Sequence, residues 1–164
     1  MGVVACGAVV NTAKSQVGYK APGPGKKNKY AAYIDSHYPK FYNGKKNGAT
    51  IDWCDIFVDW CVLQVAKDAK KAEYVLCQPE KSCGAGVGWS WKYYKAKKRT
   101  SQTAKTGYQI FLNDLKHTGI VTAVDSKYVW YVAGNEGGGH GQVKSHKILK
   151  TSKTIYGYGR PRYG

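Results

Sequence analysis

The sequence predicts an α+β domain, with helices in the first half of the chain and antiparallel strands in the second. Three observations carry that reading. Phe57, Val58, Cys61, Val62 and Val65 recur at helical spacing behind a run of capping residues. From Tyr108 onward, short runs of β-branched and aromatic residues alternate with turn residues. The chain has 164 residues, a length that suits one hydrophobic core. Neither an internal repeat nor a second domain is visible, so residues 1–164 are read as a single domain.

Residues 3–17 give a first helix, with Val3, Val4, Val9, Val10, Ala13 and Val17 partly in register. Lys20 to Asn28 is rich in Pro, Gly and Lys and reads as a loop. A short helix follows from about Lys29 to Ser36. Phe41 to Thr50 is loop again, with Asn43-Gly44 and Asn47-Gly48 as turn pairs. The clearest helix begins at Asp52 or Trp53 and runs for roughly 15–18 residues. Asp52 is its expected cap, Asp55 favours the N-terminal end of the dipole, and Lys67, Lys70 and Lys71 close the last turns. Cys54 then lies in its first turn. Beyond a Gly-rich loop (83–88) and a Trp/Tyr/Lys stretch (89–99), strands are expected at 108–112, 117–124, 128–133, 143–149 and 155–158. Gly134 to Gly141 is read as a polar rim loop.

Lys and Arg number 26 against 10 Asp and Glu, a net charge of +16. Such a surplus attracts polyanions, whether nucleic acid, anionic membranes or wall polymers. The chain lacks the roughly 20 consecutive apolar residues of a membrane span. Its apolar opening (2–10) has no basic stretch before it, so a signal peptide is not expected. Five cysteines, an odd count, do not suit a disulfide framework. Cys54 and Cys61 are two helical turns apart, about 10 Å, too far to bridge. Cys77 and Cys83 have a spacing that permits pairing without requiring it. No C-x-x-C or H-x-x-x-H pattern occurs, so no metal and no cofactor are expected.

Nucleophilic cysteine chemistry needs a thiolate, a base and a group that orients the base. A thiol in the first turn of a helix gains from the positive end of the dipole, which lowers its pKa. Cys54 meets that condition. His117 opens one expected strand, and Asn135 follows the next one after a hairpin, so the two are near neighbours. Cys61 is read as core, and Cys6, Cys77 and Cys83 as structural or incidental. His37, His140 and His146 sit in polar or exposed contexts and are given no role.

Trp53-Cys54-Asp55-Ile56-Phe57-Val58-Asp59-Trp60-Cys61 resembles the W-C-x-x-F-V-x-W-C signature of CHAP domains, the cysteine- and histidine-dependent amidohydrolases and peptidases. His117-Thr118-Gly119-Ile120-Val121 is similar to that family's H-V-G-I-V strand, and Gly134-Asn135 to its E-G-N motif. Gly18-Tyr19, Lys29-Tyr30 and Gly157-Tyr158-Gly159-Arg160-Pro161 resemble the ends of CHAP domains from phage lysins. The resemblance implies a papain-like fold in which N-terminal helices pack on an antiparallel sheet. It implies Cys54 as nucleophile, His117 as base and then acid, and Asn135 as the residue that orients His117. The family often has Glu two residues before that Asn; here the position is Ala133, and Glu136 follows Asn135 instead. Either Asn135 works alone, or Glu136 substitutes for that Glu from the opposite side of the strand alternation. Some CHAP lysins bind calcium through an acidic loop before the nucleophile. Gly44 to Thr50 has no carboxylate, so that site is not carried over.

The implied activity is peptidoglycan hydrolysis at an amide bond, by an N-acetylmuramoyl-L-alanine amidase or an endopeptidase of the stem or cross-bridge. The implied partners are peptidoglycan and anionic wall polymers such as teichoic acids, met by a monomer made in the cytoplasm and released as phage or prophage lysins are. Two rivals stand beside it. One is another papain-like thiol peptidase, NlpC-like or transglutaminase-like. The other is a basic nucleic-acid-binding module without catalysis, for which residues 89–99 supply cations and stacking rings.

Overall fold

Apolar side chains recur so densely between residues 54 and 66 that the helix they form is buried on nearly every side. That helix, α3 (Cys54–Ala66), is the centre of the structure. The computed structural model describes residues 3–22, 28–46, 52–82, 84–137 and 141–164. Around α3 stand α1 (Cys6–Ser15), α2 (Lys29–His37), α4 (Ala69–Val75) and α5 (Val87–Ala96). The strands are β1 (Thr100–Ser101), β2 (Gln109–Leu112), β3 (His117–Val124), β4 (Tyr128–Glu136), β5 (Gln142–Leu149) and β6 (Ile155–Gly159). They form one antiparallel sheet in the order β1-β6-β2-β3-β4-β5. The expected α+β class, helices first and strands second, is what the described residues adopt.

Strand alternation divides the apolar residues between two clusters. Ile120, Val132 and Val143 join the core built by α1, α2 and α3. Their neighbours Val121, Tyr131 and Ala133 join a second cluster with Ile110, Leu112 and Val129. A helix buried all round beside a sheet is a core helix, and its first turn is fixed by that packing. Trp53, just before it, sits among Tyr19 and Tyr30, with ring centroids 6.0 and 5.5 Å away.

Several boundaries differ from expectation. The long helix is two helices. Lys67 adopts a left-handed conformation (φ 52°) that ends α3, and the Asp68 side chain caps α4 by accepting from the Lys71 amide at 2.8 Å. Asp52 does not cap α3; the cap position is Trp53, with no side-chain hydrogen bond. The Trp/Tyr/Lys stretch is α5, and its rings are largely used inside. Tyr94 is buried, and Trp91 packs edge-on against Phe111 and Tyr156. Strand β4 runs through Gly134 and Asn135 to Glu136, where a loop was expected. Among the described residues no helix is long and apolar enough to cross a membrane. Cys6, Cys54, Cys61 and Cys77 are free thiols. Cys83, His140, residues 47–50 of the loop without carboxylates and residues 138–139 of the rim loop lie outside the described residues.

Candidate active site

Cys54 is the first residue of α3 and only 2% exposed. Its sulfur faces two backbone amides, those of Thr118 and Asp55. Thr118 follows His117 on β3, so the strand end that carries the histidine is packed against the start of the helix. Among the described residues no hydrogen bond joins Cys54 to His117.

The dipole argument predicts a depressed thiol pKa, and the opposite holds. Burial, followed by the charge of Asp55, pushes Cys54 up to about 12, against the pull of the two amides. Taking the sulfur out of water disfavours the thiolate more than the helix end favours it. The resting thiol is therefore protonated at neutral pH.

Beneath Cys54 lies a polar network that sequence reading missed. The buried Asp55 carboxylate accepts from the Gly86 amide at 2.9 Å, the Ser90 hydroxyl at 2.8 Å and Gln109 Nε2 at 3.1 Å. Gln109 also donates to Thr118 Oγ1 at 2.9 Å and accepts from the Tyr94 hydroxyl at 3.1 Å. Burial raises the Asp55 carboxyl to about 6, and the donors oppose that rise. The network ties the first turn of α3 to α5, β2 and β3, which holds Cys54 in register with the end of β3. One turn on, Asp59 is likewise buried and held by Tyr42 and Gln78 at 2.6 and 3.0 Å.

The histidine is tied from the other side. His117 Nε2 lies 2.5 Å from Glu136 Oε1, and both side chains are about one-sixth exposed (15% and 17%). The expected contact from Asn135 does not occur. Asn135 instead donates to Asp52 Oδ1 at 2.9 Å, bridging β4 to the residue before Trp53. The backbone explains the exchange. Asn135 has a left-handed conformation (φ 54°), and the β4–β5 register shifts between Ala133 and Glu136. Such a bulge resets the alternation of the strand. Gly134 faces α3, and a Cβ there would lie 2.6 Å from the Trp53 ring. Strict alternation would send Glu136 the same way; the bulge turns it towards His117.

Glu136 Oε2 lies 3.3 Å from His146 Nε2, on β5. His146 was given no role from the sequence, yet it is stacked on Tyr131 at 5.3 Å and only 34% exposed. Burial acts to raise the Glu136 carboxyl. The His117 hydrogen bond and the charges of both histidines outweigh it and hold the carboxyl below the usual glutamate range. Strand pairing was the missing signal, because Tyr131 pairs with His146 in the β4–β5 ladder.

A cleft of about 350 Å³ opens beside Cys54, lined by Asp52, Ala85, Gly86, Leu115 and Lys116 among others. A larger hollow of about 550 Å³, between Val3, Arg99, Arg162 and Tyr163, shares no residue with it and holds no nucleophile. Among the described residues no group of three or more His, Cys, Asp or Glu is placed to hold a metal ion. The arrangement supplies a thiol beside an open cleft, two amide donors facing it and, on the adjoining strand end, a histidine held by a carboxylate.

No family model matches the chain. A segment of 94 residues, 57% of the chain, is 30% identical to part of the CRISPR-associated endoribonuclease Cas13a of Lachnospiraceae bacterium (strain NK4A179) and spans 6% of that protein. Among solved structures, the chain is similar to the crystal structure of Ly7917, with a TM-score of 0.57 at 17% identity. It is similar also to Ly7917 with the hydrolyzing product of MDP, with a TM-score of 0.56 at 17% identity. Each likeness covers 95% of this chain and 62% of Ly7917. The chain thus spans less than two thirds of either protein, and what it shares with Ly7917 across nearly its own length is the α+β fold.

Proposed function

We propose that the chain is a CHAP-type cysteine hydrolase with a papain-like fold, cutting an amide bond of bacterial peptidoglycan as an N-acetylmuramoyl-L-alanine amidase or a stem or cross-bridge endopeptidase. The observation that carries the reading is the pairing of Cys54, at the start of a buried helix, with a strand end whose histidine is clamped by Glu136. The W-C-x-x-F-V-x-W-C resemblance and the fold neighbour crystallised with the hydrolyzing product of MDP support it. A nucleic-acid-binding module needs a series of stacking platforms, whereas Tyr94 and Trp91 of α5 are spent on internal packing and Trp89 is the exposed ring of that helix.

With Nε2–H donated to Glu136, His117 keeps its lone pair on Nδ1, the nitrogen free to act as base. A raised thiol pKa means that proton transfer accompanies attack rather than preceding it. In a resting site the nucleophile–base contact is often long and tightens when substrate binds. His117 Nδ1 takes the Cys54 proton while the sulfur bonds to the carbonyl carbon. The Asp55 amide, which has no carbonyl partner within the helix and faces the sulfur in the resting site, donates to the oxyanion as the sulfur bonds to carbon. Collapse breaks the C–N bond, and the imidazolium gives its proton to the leaving amine. Water, deprotonated by His117, then cleaves the thioester, releasing the carboxylate and restoring the thiol. Throughout, Glu136 balances the charge of the imidazolium. The net charge of +16 favours approach to anionic walls that carry teichoic acids.

Incubation with purified peptidoglycan tests the activity. New amino groups should appear without new reducing sugar ends, and the residue bearing the amine identifies the bond. Reducing ends without amines would mark a glycosidase and overturn the proposal.

A further inference from the structure

The mechanism above uses one oxygen of Glu136 and leaves its second partner without a task. His146 Nε2 is cut off from water, and Glu136 Oε2, 3.3 Å away, is the acceptor that faces it. The alignment is off a straight hydrogen bond, so attraction between the ring N–H and the carboxylate contributes most of the link. The His146 ring is held by stacking on Tyr131, 5.3 Å between centroids and 29° between planes. Tyr131 is itself buried in the second apolar cluster. His146 therefore stands on a rigid strand pair, Tyr131 opposite His146, and not on a loop.

Glu136 has no such support of its own. It is the last residue of β4, directly after the bulge at Asn135 and directly before Gly137 (φ 82°). A carboxylate on a long side chain at a strand end has several rotamers of similar energy. Fixing it towards one histidine costs side-chain entropy. A second donor on the opposite oxygen removes that freedom before substrate arrives.

We propose that His146 is a positioning residue: it clamps the second oxygen of Glu136 so that the first is fixed on His117 Nε2. The inference rests on the hydrolase reading for its kinetic consequence, but the clamp itself is a structural claim with its own readout. His146 needs no contact with substrate to act in this way. Its effect reaches the reaction only through the geometry of Glu136 and the tautomer of His117.

Two variants separate the donor from the ring. His146→Phe keeps a ring to stack on Tyr131 and removes the N–H. His146→Gln gives up the ring but can return an N–H to Glu136. The structural readout is the downfield Nε2–H proton resonance of His117, visible by NMR while that proton is held by Glu136. It should be sharp in the wild type and in His146→Gln, and broadened by solvent exchange in His146→Phe. On peptidoglycan fragments, His146→Phe should lose about tenfold in kcat, just below the range of a well-aligned hydrogen bond to a charged group because the contact is off-line, with KM unchanged. His146→Gln should recover most of the loss.

A sharp His117 resonance together with wild-type kcat in His146→Phe would overturn the proposal. Equal losses in both variants would also overturn it, since they would assign His146 a packing role. If the wild type itself fails to cleave peptidoglycan, the hydrolase reading falls, while the resonance comparison still decides whether His146 holds Glu136.

Discussion

Replacing Glu136 by Gln tests the part of the site in which structure and sequence expectation differ most. The substitution keeps the size of the side chain and one oxygen that can accept from His117 Nε2, and it puts an NH2 donor where Glu136 Oε2 faces His146. What it removes is the negative charge opposite the imidazolium that forms as Cys54 loses its proton. A hydrogen bond to a charged group contributes about 1.5–3 kcal/mol. The pair is short, 2.5 Å, and about five-sixths buried, so solvent screens it little. If that stabilisation is expressed in the transition state, kcat falls by about 10- to 150-fold at roughly 1.4 kcal/mol per tenfold. KM should change little, because the charge develops only during reaction. Asn135→Ala is the control. It removes the 2.9 Å bond to Asp52 and leaves the His117–Glu136 pair intact, so its effect on kcat should be smaller. Steady-state turnover of soluble peptidoglycan fragments measures both. Wild-type kcat in Glu136→Gln, or a larger loss in Asn135→Ala, would return the orienting role to Asn135.

Two further outcomes follow from the same geometry. With its folded-state pKa raised to about 12, Cys54 is ionised to only about one part in 10⁵ at pH 7. Its alkylation by iodoacetamide, followed by mass spectrometry to separate it from the more accessible Cys6, should therefore rise about tenfold per pH unit from 6 to 10. A flat rate between pH 6 and 8 would reveal a preformed thiolate–imidazolium pair. Gly134→Ala should destabilise the fold by about 1–3 kcal/mol through overpacking, because its Cβ would meet Trp53 at 2.6 Å and Phe57 at 2.9 Å. Denaturant unfolding measures this, and an unchanged midpoint would show that Trp53 is not wedged against β4.

The fold was legible where one pattern dominated. Apolar residues at helical spacing placed α3, and β-branched runs placed β2 to β6 within a few residues. Lys67 hid the break between α3 and α4, since a left-handed lysine carries no sequence mark, unlike glycine. Gly134 reads as loop, yet it lies in a strand because the Trp53 ring occupies the space of a side chain. The places of Cys54 and His117 at the starts of α3 and β3 were legible. Which of Asn135 and Glu136 holds His117 was not, because it depends on a bulge one residue long. His146 became visible only with the β4–β5 register, and the Asp55 network only with four separate elements in place. The thiol pKa was misjudged because a helix start is local and burial is not.

The central claim is that Cys54 performs the chemistry. It is tested most directly by a zymogram on purified bacterial cell walls, with the wild type run beside Cys54→Ala, and circular dichroism of both to verify folding. The wild type should give a clear lysis band and the variant none, with matching spectra. A band of equal strength from folded Cys54→Ala would contradict it.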